Sequence, residues 1–266
     1  MNLDNKNTAA GELANRSTGQ PINYLLFLAD TNLILSQKNA EWCGHGPVLE
    51  QDIAITNITL DLLGQARNFY QYAAELISQS TGQQTTEDSL AYLRTEREFK
   101  NLLLCELPKG DWAQSVLKLF FFGAYAQLVY KQLSNSPDER IAAIAEKSLK
   151  ETNYHVRWSS EWVIRMGDGT AESNQRLNTA LQYLWPFTGE MFVAADFENN
   201  NGVDLASIKD DWQKTVQSVF EEATITMLDM NIVMQSGGKQ GIHTEHMGFI
   251  LAEMQYLQRT YPGAEW

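Results

Sequence analysis

His243, Glu245 and His246 lie within GIHTEHMGFILAEMQYLQRTYPG, residues 241–263, at the mouth of an apolar helical pattern. Imidazoles and carboxylates at helical spacing can hold a metal ion. At about 100° per residue, His243 heads a row continued by Met247, Ile250, Leu251, Met254 and Leu257, with His246 about 60° away at its edge. Glu245 points elsewhere, and no residue nominates itself as a further ligand from a distant helix. The preceding SGGKQG, residues 236–241, is a glycine-rich loop with one lysine feeding a helix N-terminus. Free N–H groups and the helix dipole attract anions at such a place, although the spacing is not that of a P-loop. A plain turn, docking to a partner chain and an anionic ligand are the three readings, in that order. Lys239, His243 and His246 are therefore the candidate partner or anion contacts.

The elements that would carry these residues are helices. Apolar residues recur at three and four, as in Ile55, Ile58, Leu62, Ala66, Phe69, Ala73 and Leu76. Alternating β runs and Asn-Gly hairpins are absent. Pro21, Pro47, Pro108, Pro137 and Pro262 fall where helices should begin or end, and Pro186 should kink or restart the segment from about 172 to 199. About eight helices follow, several of 20 residues or more. Long helices with short joints give an antiparallel bundle.

A long bundle invites a ferritin-like di-iron reading, which needs Glu from each of two helices and Glu-x-x-His from each of two others. Residues three apart share a helix face, so carboxylate and imidazole converge on one ion. The four histidines, at 45, 155, 243 and 246, are preceded three residues earlier by Trp42, Thr152, Gln240 and His243. No Glu-x-x-His exists. In its place stand Asp61-Leu-Leu-Gly64 and Glu151-Thr-Asn-Tyr154, which read as vestigial positions with both imidazoles gone. Asn57, Asp61, Gly64, Asn68, Gln71 and Glu75 form a polar stripe, read as a solvated face or as the lining of a former metal channel. Glu151 and His155 share a face with Ile144, Trp158 and Trp162, and an i,i+4 buried structural pair is expected there. Cys43 and His45 are two apart beside a helix terminus; a buried thiol is the expected role.

Composition bounds the rest. With 33 acidic against 20 basic residues, the net charge is −13, which repels nucleic-acid backbones. Two cysteines far apart make a disulfide framework improbable and the cytoplasm the default compartment. The run LKLFFFGAYAQLVY, 117–130, is too short to cross a bilayer. Residues 1–20 read as a flexible N-terminal tail, and residues 21–266 as a single ferritin-like helical domain, all-α, with extra helices flanking the bundle.

The phrases LSQKNAEWCGHGPVLEQDIAITNITLDLLGQARNFYQYAAEL, FKNLLLCELPKGDWA, KETNYHVRWSSEWVIRMGDGT and GGKQGIHTEHMGFILAEMQYLQRTYPGAEW resemble the C subunits of the ring-1,2-phenylacetyl-CoA epoxidases, also called phenylacetate-CoA oxygenases. The resemblance runs through nearly the whole chain after residue 22. It implies a non-catalytic, ferritin-like structural subunit that binds and supports a catalytic A subunit in aerobic phenylacetate degradation. The A subunit holds the di-iron centre and epoxidises phenylacetyl-CoA; B and reductase components complete the enzyme, with electrons from NADPH. No catalytic residue, metal or cofactor is then expected in this chain. Two alternatives are an oxygenase with irregular ligands at Asp61, Glu151 and His155, and a CoA-ester binding module using the Lys239 loop.

Overall fold

The computed structural model describes residues 4–199, 201–229 and 232–264, with side chains placed from residue 21 onward. Among them are ten α-helices: α1 (Asp4–Ala40), α2 (Leu49–Thr81), α3 (Glu87–Tyr92), α4 (Leu103–Glu106), α5 (Trp112–Leu133), α6 (Glu139–Gly167), α7 (Ala171–Leu184), α8 (Leu205–Glu222), α9 (Glu245–Met254) and α10 (Tyr256–Thr260). No strand occurs among the described residues.

Cross-helix contacts fix the directions. Asp30 on α1 meets Tyr70 on α2. Trp42 at the end of α1 meets Ser115 near the start of α5, while Asn32 meets Tyr130 near its end. On α6, Trp162, His155 and Arg140 meet Gln51, Asp61 and Glu75 of α2 in turn. Each of these pairs is antiparallel, so α2 and α5 run the same way and need a long crossover between them. That crossover, residues 82–111, travels along α1: Arg94 and the Lys100 N–H bind Asp30, and Lys109 lies over the Trp42 ring. Two antiparallel pairs joined by one long crossover make the ferritin-like bundle.

Sequence explains the caps. Asp111, Asp138, Thr170, Asp204 and Thr244 each accept from backbone N–H groups at a helix start. Pro186 restarts the chain as the 3-10 turn Trp185–Phe187, as its spacing suggested. Pro21 does not open a helix: α1 passes through it and includes residues 4–20, the stretch set apart as a tail. One lost rung is offset by packing further on, where every residue from Tyr24 through Ser36 is buried. The side chains of residues 1–20 lie outside the described residues.

Helix α5 is the centre of the fold. Buried residues surround it because α6, α7 and α8 all pack on it, which is why its sequence is apolar on every side. No helix among the described residues is long and apolar enough to cross a membrane. At one end, Trp112 packs edge-on against Trp42, Trp158 and Trp162, and Gln51 Oε1 accepts from the last two indoles. The C-terminal helical pattern begins later than its periodicity suggested. His243 precedes the Thr244 cap, and the helix breaks at Gln255 into α9 and α10.

Candidate functional site

A helix buried on every side must find partners for its polar groups. On α1 these include Asn32, whose Nδ2 donates to Tyr130 Oη on α5 at 2.9 Å. Tyr130 donates to Gln65 Oε1 on α2 at 3.0 Å, and Gln65 Nε2 donates to Glu151 Oε2 on α6 at 2.9 Å. One residue from each core helix thus forms a single hydrogen-bonded line across the bundle. Burial pushes the Tyr130 phenol above its ordinary value, which keeps its proton available for Gln65. The line ends at the half-buried Glu151, with Lys147 3.8 Å away.

A di-iron group needs several carboxylates and two imidazoles facing one another. Here the centre offers two neutral amides, a phenol and one carboxylate, and that donor set does not fit such a group. Among the described residues no three His, Cys, Asp or Glu side chains gather in a way that could hold a metal ion.

The positions singled out by spacing lie beside this centre, on the seam between α2 and α6. His155 Nε2 and Asp61 Oδ2 are 3.0 Å apart. The expected Glu151–His155 pair therefore does not form: His155 reaches across to α2, and Glu151 is taken by Gln65. Gly64 borders open space, since a Cβ added there would meet nothing within 4 Å. Tyr154 is exposed. The polar stripe on α2 is mostly neither a plain solvated face nor a channel wall. Asp61, Gly64, Asn68 and Gln71 are half-buried, while Asn57 and Glu75 at its ends are exposed, Glu75 binding Arg140 of α6.

The glycine loop does bind an anion, and the anion is the protein's own. Glu190, buried, accepts from the N–H groups of Gly237 and Gly238 at 2.7 Å each and of Leu103 at 2.9 Å. Burial raises its carboxyl despite those bonds. Lys239, expected as an anion or partner contact, is turned inward: Nζ binds Glu198 Oε2 and Val193 O, each at 2.8 Å. Burial lowers its ammonium, opposed by the Glu198 charge.

His243 is also internal. Its side chain and that of Glu106 are both fully buried, with Nδ1 2.6 Å from Glu106 Oε1 and Nε2 3.1 Å from Phe99 O. A carboxylate and a carbonyl facing the two ring nitrogens form an arrangement that favours the imidazolium, which donates to both. Burial pulls its pKa down, but the Glu106 hydrogen bond and charge outweigh it and the net shift is upward. Glu106 also accepts from Asn101 Nδ2 and from the N–H and hydroxyl of Thr244. This clasp fixes the entry to α9. His246 is half-buried beside the cap. Cys43 is exposed, against expectation, because it sits in the turn after α1; His45 Nδ1 contacts the Cys43 carbonyl at 3.0 Å.

Asn32, Gln65, Tyr130, Glu106, Glu190 and Glu198 were not legible as site residues. Gln65 and Asn32 left a trace: each interrupts an apolar row, Leu62–Phe69 and Leu28–Leu35. The carboxylates left none, because their partners lie far along the chain.

Comparison with known proteins agrees with this architecture. Residues 5–266 match the family described as phenylacetic acid catabolic protein. The chain is 44% identical over 248 residues to the C subunit of the 1,2-phenylacetyl-CoA epoxidase of Escherichia coli (strain K12), covering 91% of this chain and 98% of that one. The chain belongs to the phenylacetic acid catabolic protein family.

Proposed function

We propose that this chain is a non-catalytic structural subunit of a phenylacetyl-CoA ring epoxidase, which binds and braces a di-iron A subunit in aerobic phenylacetate degradation. The observation that carries the reading is the Asn32–Tyr130–Gln65–Glu151 line, which ties all four core helices together with groups unsuited to iron. A bundle locked this way is a rigid surface against which a catalytic bundle can hold its ligands in place. Oxygen chemistry and phenylacetyl-CoA turnover then belong to the A subunit, B completes the assembly, and electrons arrive from NADPH through the reductase. The Escherichia coli relative is named as one subunit of an epoxidase, which supports this reading.

The two rival readings draw no support from the geometry. Asp61 and His155 satisfy each other while Glu151 is bound elsewhere, and Lys239 is buried against Glu198. The test is co-purification with the A subunit, separation of the chains and iron analysis of each. Iron confined to the A subunit is the expected result. Stoichiometric iron in this chain, or failure of the two to associate, would refute the proposal.

A further inference from the structure

The hydrogen-bonded line begins at an atom that no group among the described residues satisfies. Asn32 is 1% exposed, in the middle of α1. Its Nδ2 donates to Leu28 O at 2.8 Å and to Tyr130 Oη at 2.9 Å, so both amide hydrogens are spent. Those contacts fix the amide's orientation. Turning it over would set its oxygen against the Leu28 carbonyl, acceptor against acceptor. Oδ1 is therefore the atom left over, and it is buried without a hydrogen-bond partner.

Asn32 also lines a small internal cavity between α1 and α5, together with Phe27, Thr31, Phe122, Tyr125 and Tyr130. The space open to a water's centre there is about 10 Å³, which is near the smallest volume that holds one water molecule. Apolar cavities stay dry, and a water needs two to four polar partners. The residue with the unsatisfied acceptor lines this cavity, beside the hydroxyl-bearing Thr31, Tyr125 and Tyr130, of which Tyr130 already donates to Gln65 and Thr31 accepts from the Leu102 N–H.

We propose that a single water molecule is bound in this cavity, donating a hydrogen bond to Asn32 Oδ1. Dioxygen and other apolar guests would leave the acceptor unpaired in a low-dielectric core, where such a group is costly. Water satisfies it and completes the line from the core to Glu151. The site is thus part of the framework that holds α1 against α5, and it is independent of whether the chain serves an epoxidase.

Two measurements test it. A crystal structure of the full chain at high resolution should show one ordered peak about 2.5–3.0 Å from Asn32 Oδ1. A clear map without that peak, the amide being well ordered, overturns the proposal. In solution, oxygen-17 relaxation dispersion counts slowly exchanging internal waters. Asn32→Leu, which removes the acceptor and fills space, should lose one relative to the parent chain. An unchanged count in a folded Asn32→Leu protein overturns it as well; should that variant not fold, the crystallographic outcome still decides.

Discussion

Gln65 on α2 and Glu151 on α6 are joined by a 2.9 Å hydrogen bond that links the first antiparallel pair of helices to the second. The bond holds Glu151 at the edge of the core and gives Gln65, which is 1% exposed, the interior position. Restoring histidine at the two vestigial sites should therefore not restore a metal centre. Gly64 borders open space and Tyr154 is exposed, so Gly64→His with Tyr154→His places two imidazoles on the seam. The double variant should purify without stoichiometric iron after growth in iron-supplemented medium. Iron near two atoms per chain by elemental analysis would mean that the seam, not the centre, is the metal-competent face.

The limits of sequence reading show clearly on these helices. The all-helical fold, the bundle and the punctuation at Pro186 follow from periodicity and proline chemistry, which act within a few residues. The missing Glu-x-x-His is equally local. What could not be read is pairing across the chain: His155 with Asp61, Glu106 with His243, Glu190 with the 237–238 loop. Helical spacing made Glu151 the natural partner of His155, but tertiary contact with α2 won. For the loop at 236–241 an anion site is the last of three readings that the sequence allows, after a plain turn and a partner contact, and only the fold reveals that the Gly237 and Gly238 N–H groups hold Glu190.

The His243–Glu106 clasp should give stability that depends on pH. Folded His243 holds its proton more tightly than the ordinary value of 6.5. Its contribution is therefore complete below pH 6.5 and is lost as pH rises through the higher folded value. His243→Gln keeps one donor to Glu106 but loses the charge, at a cost of about 3 kcal/mol near pH 6. The gap in urea midpoints between parent and variant should be widest at acidic pH and narrow toward pH 9. A gap that widens with pH would contradict the imidazolium assignment.

Lys118 behaves in the opposite sense. It is fully buried on α5, and its Nζ donates to the Leu107 carbonyl at 2.8 Å and the Pro108 carbonyl at 3.4 Å. Burial pushes its ammonium down to about 8 from 10.5. The unfolded chain thus binds this proton more tightly, and stability rises with pH between about 8 and 10.5. Lys118→Met removes the cost of a buried charge but leaves the Leu107 carbonyl unpaired. A net gain of about 1–3 kcal/mol is expected at pH 7, vanishing by about pH 10.5. Denaturant titrations at both pH values check it; a variant less stable at pH 7 would show that the carbonyl contacts outweigh the desolvation.

The 236–241 loop needs glycine for closeness as well as for charge. A Cβ at Gly238 would lie 2.0 Å from the Asn101 carbonyl oxygen, a backbone atom that cannot swing aside. Gly238→Ala should force the loop off Glu190 and strand a buried carboxylate, costing about 2–3 kcal/mol or more. The urea midpoint should fall accordingly. By contrast Gly82→Ala, at a φ of 70° with no neighbour within 4 Å, should cost only about 1 kcal/mol from backbone strain. Equal losses at the two sites would remove close packing as the reason for glycine at 238.

The surface of α2 offers a test of the proposed partnership. Leu49, Ile53, Leu60 and Leu63 are 72%, 51%, 58% and 44% exposed. At about 100° per residue they fall within roughly 80° of arc, an apolar row interrupted by Thr56 on the solvent side of a core helix. Rows of this kind mark protein contacts, and this one is uncovered by packing among the described residues. If the chain braces a catalytic subunit, this row belongs to the shared surface. Leu60→Glu with Leu63→Glu keeps helix-forming residues at positions outside the core, so the isolated chain should lose no more than about 1 kcal/mol. Charge in a desolvated contact is costly, so co-purification with the A subunit should fall at least tenfold. Undiminished capture by a stably folded double variant would move the docking surface off α2 and leave its apolar row unexplained.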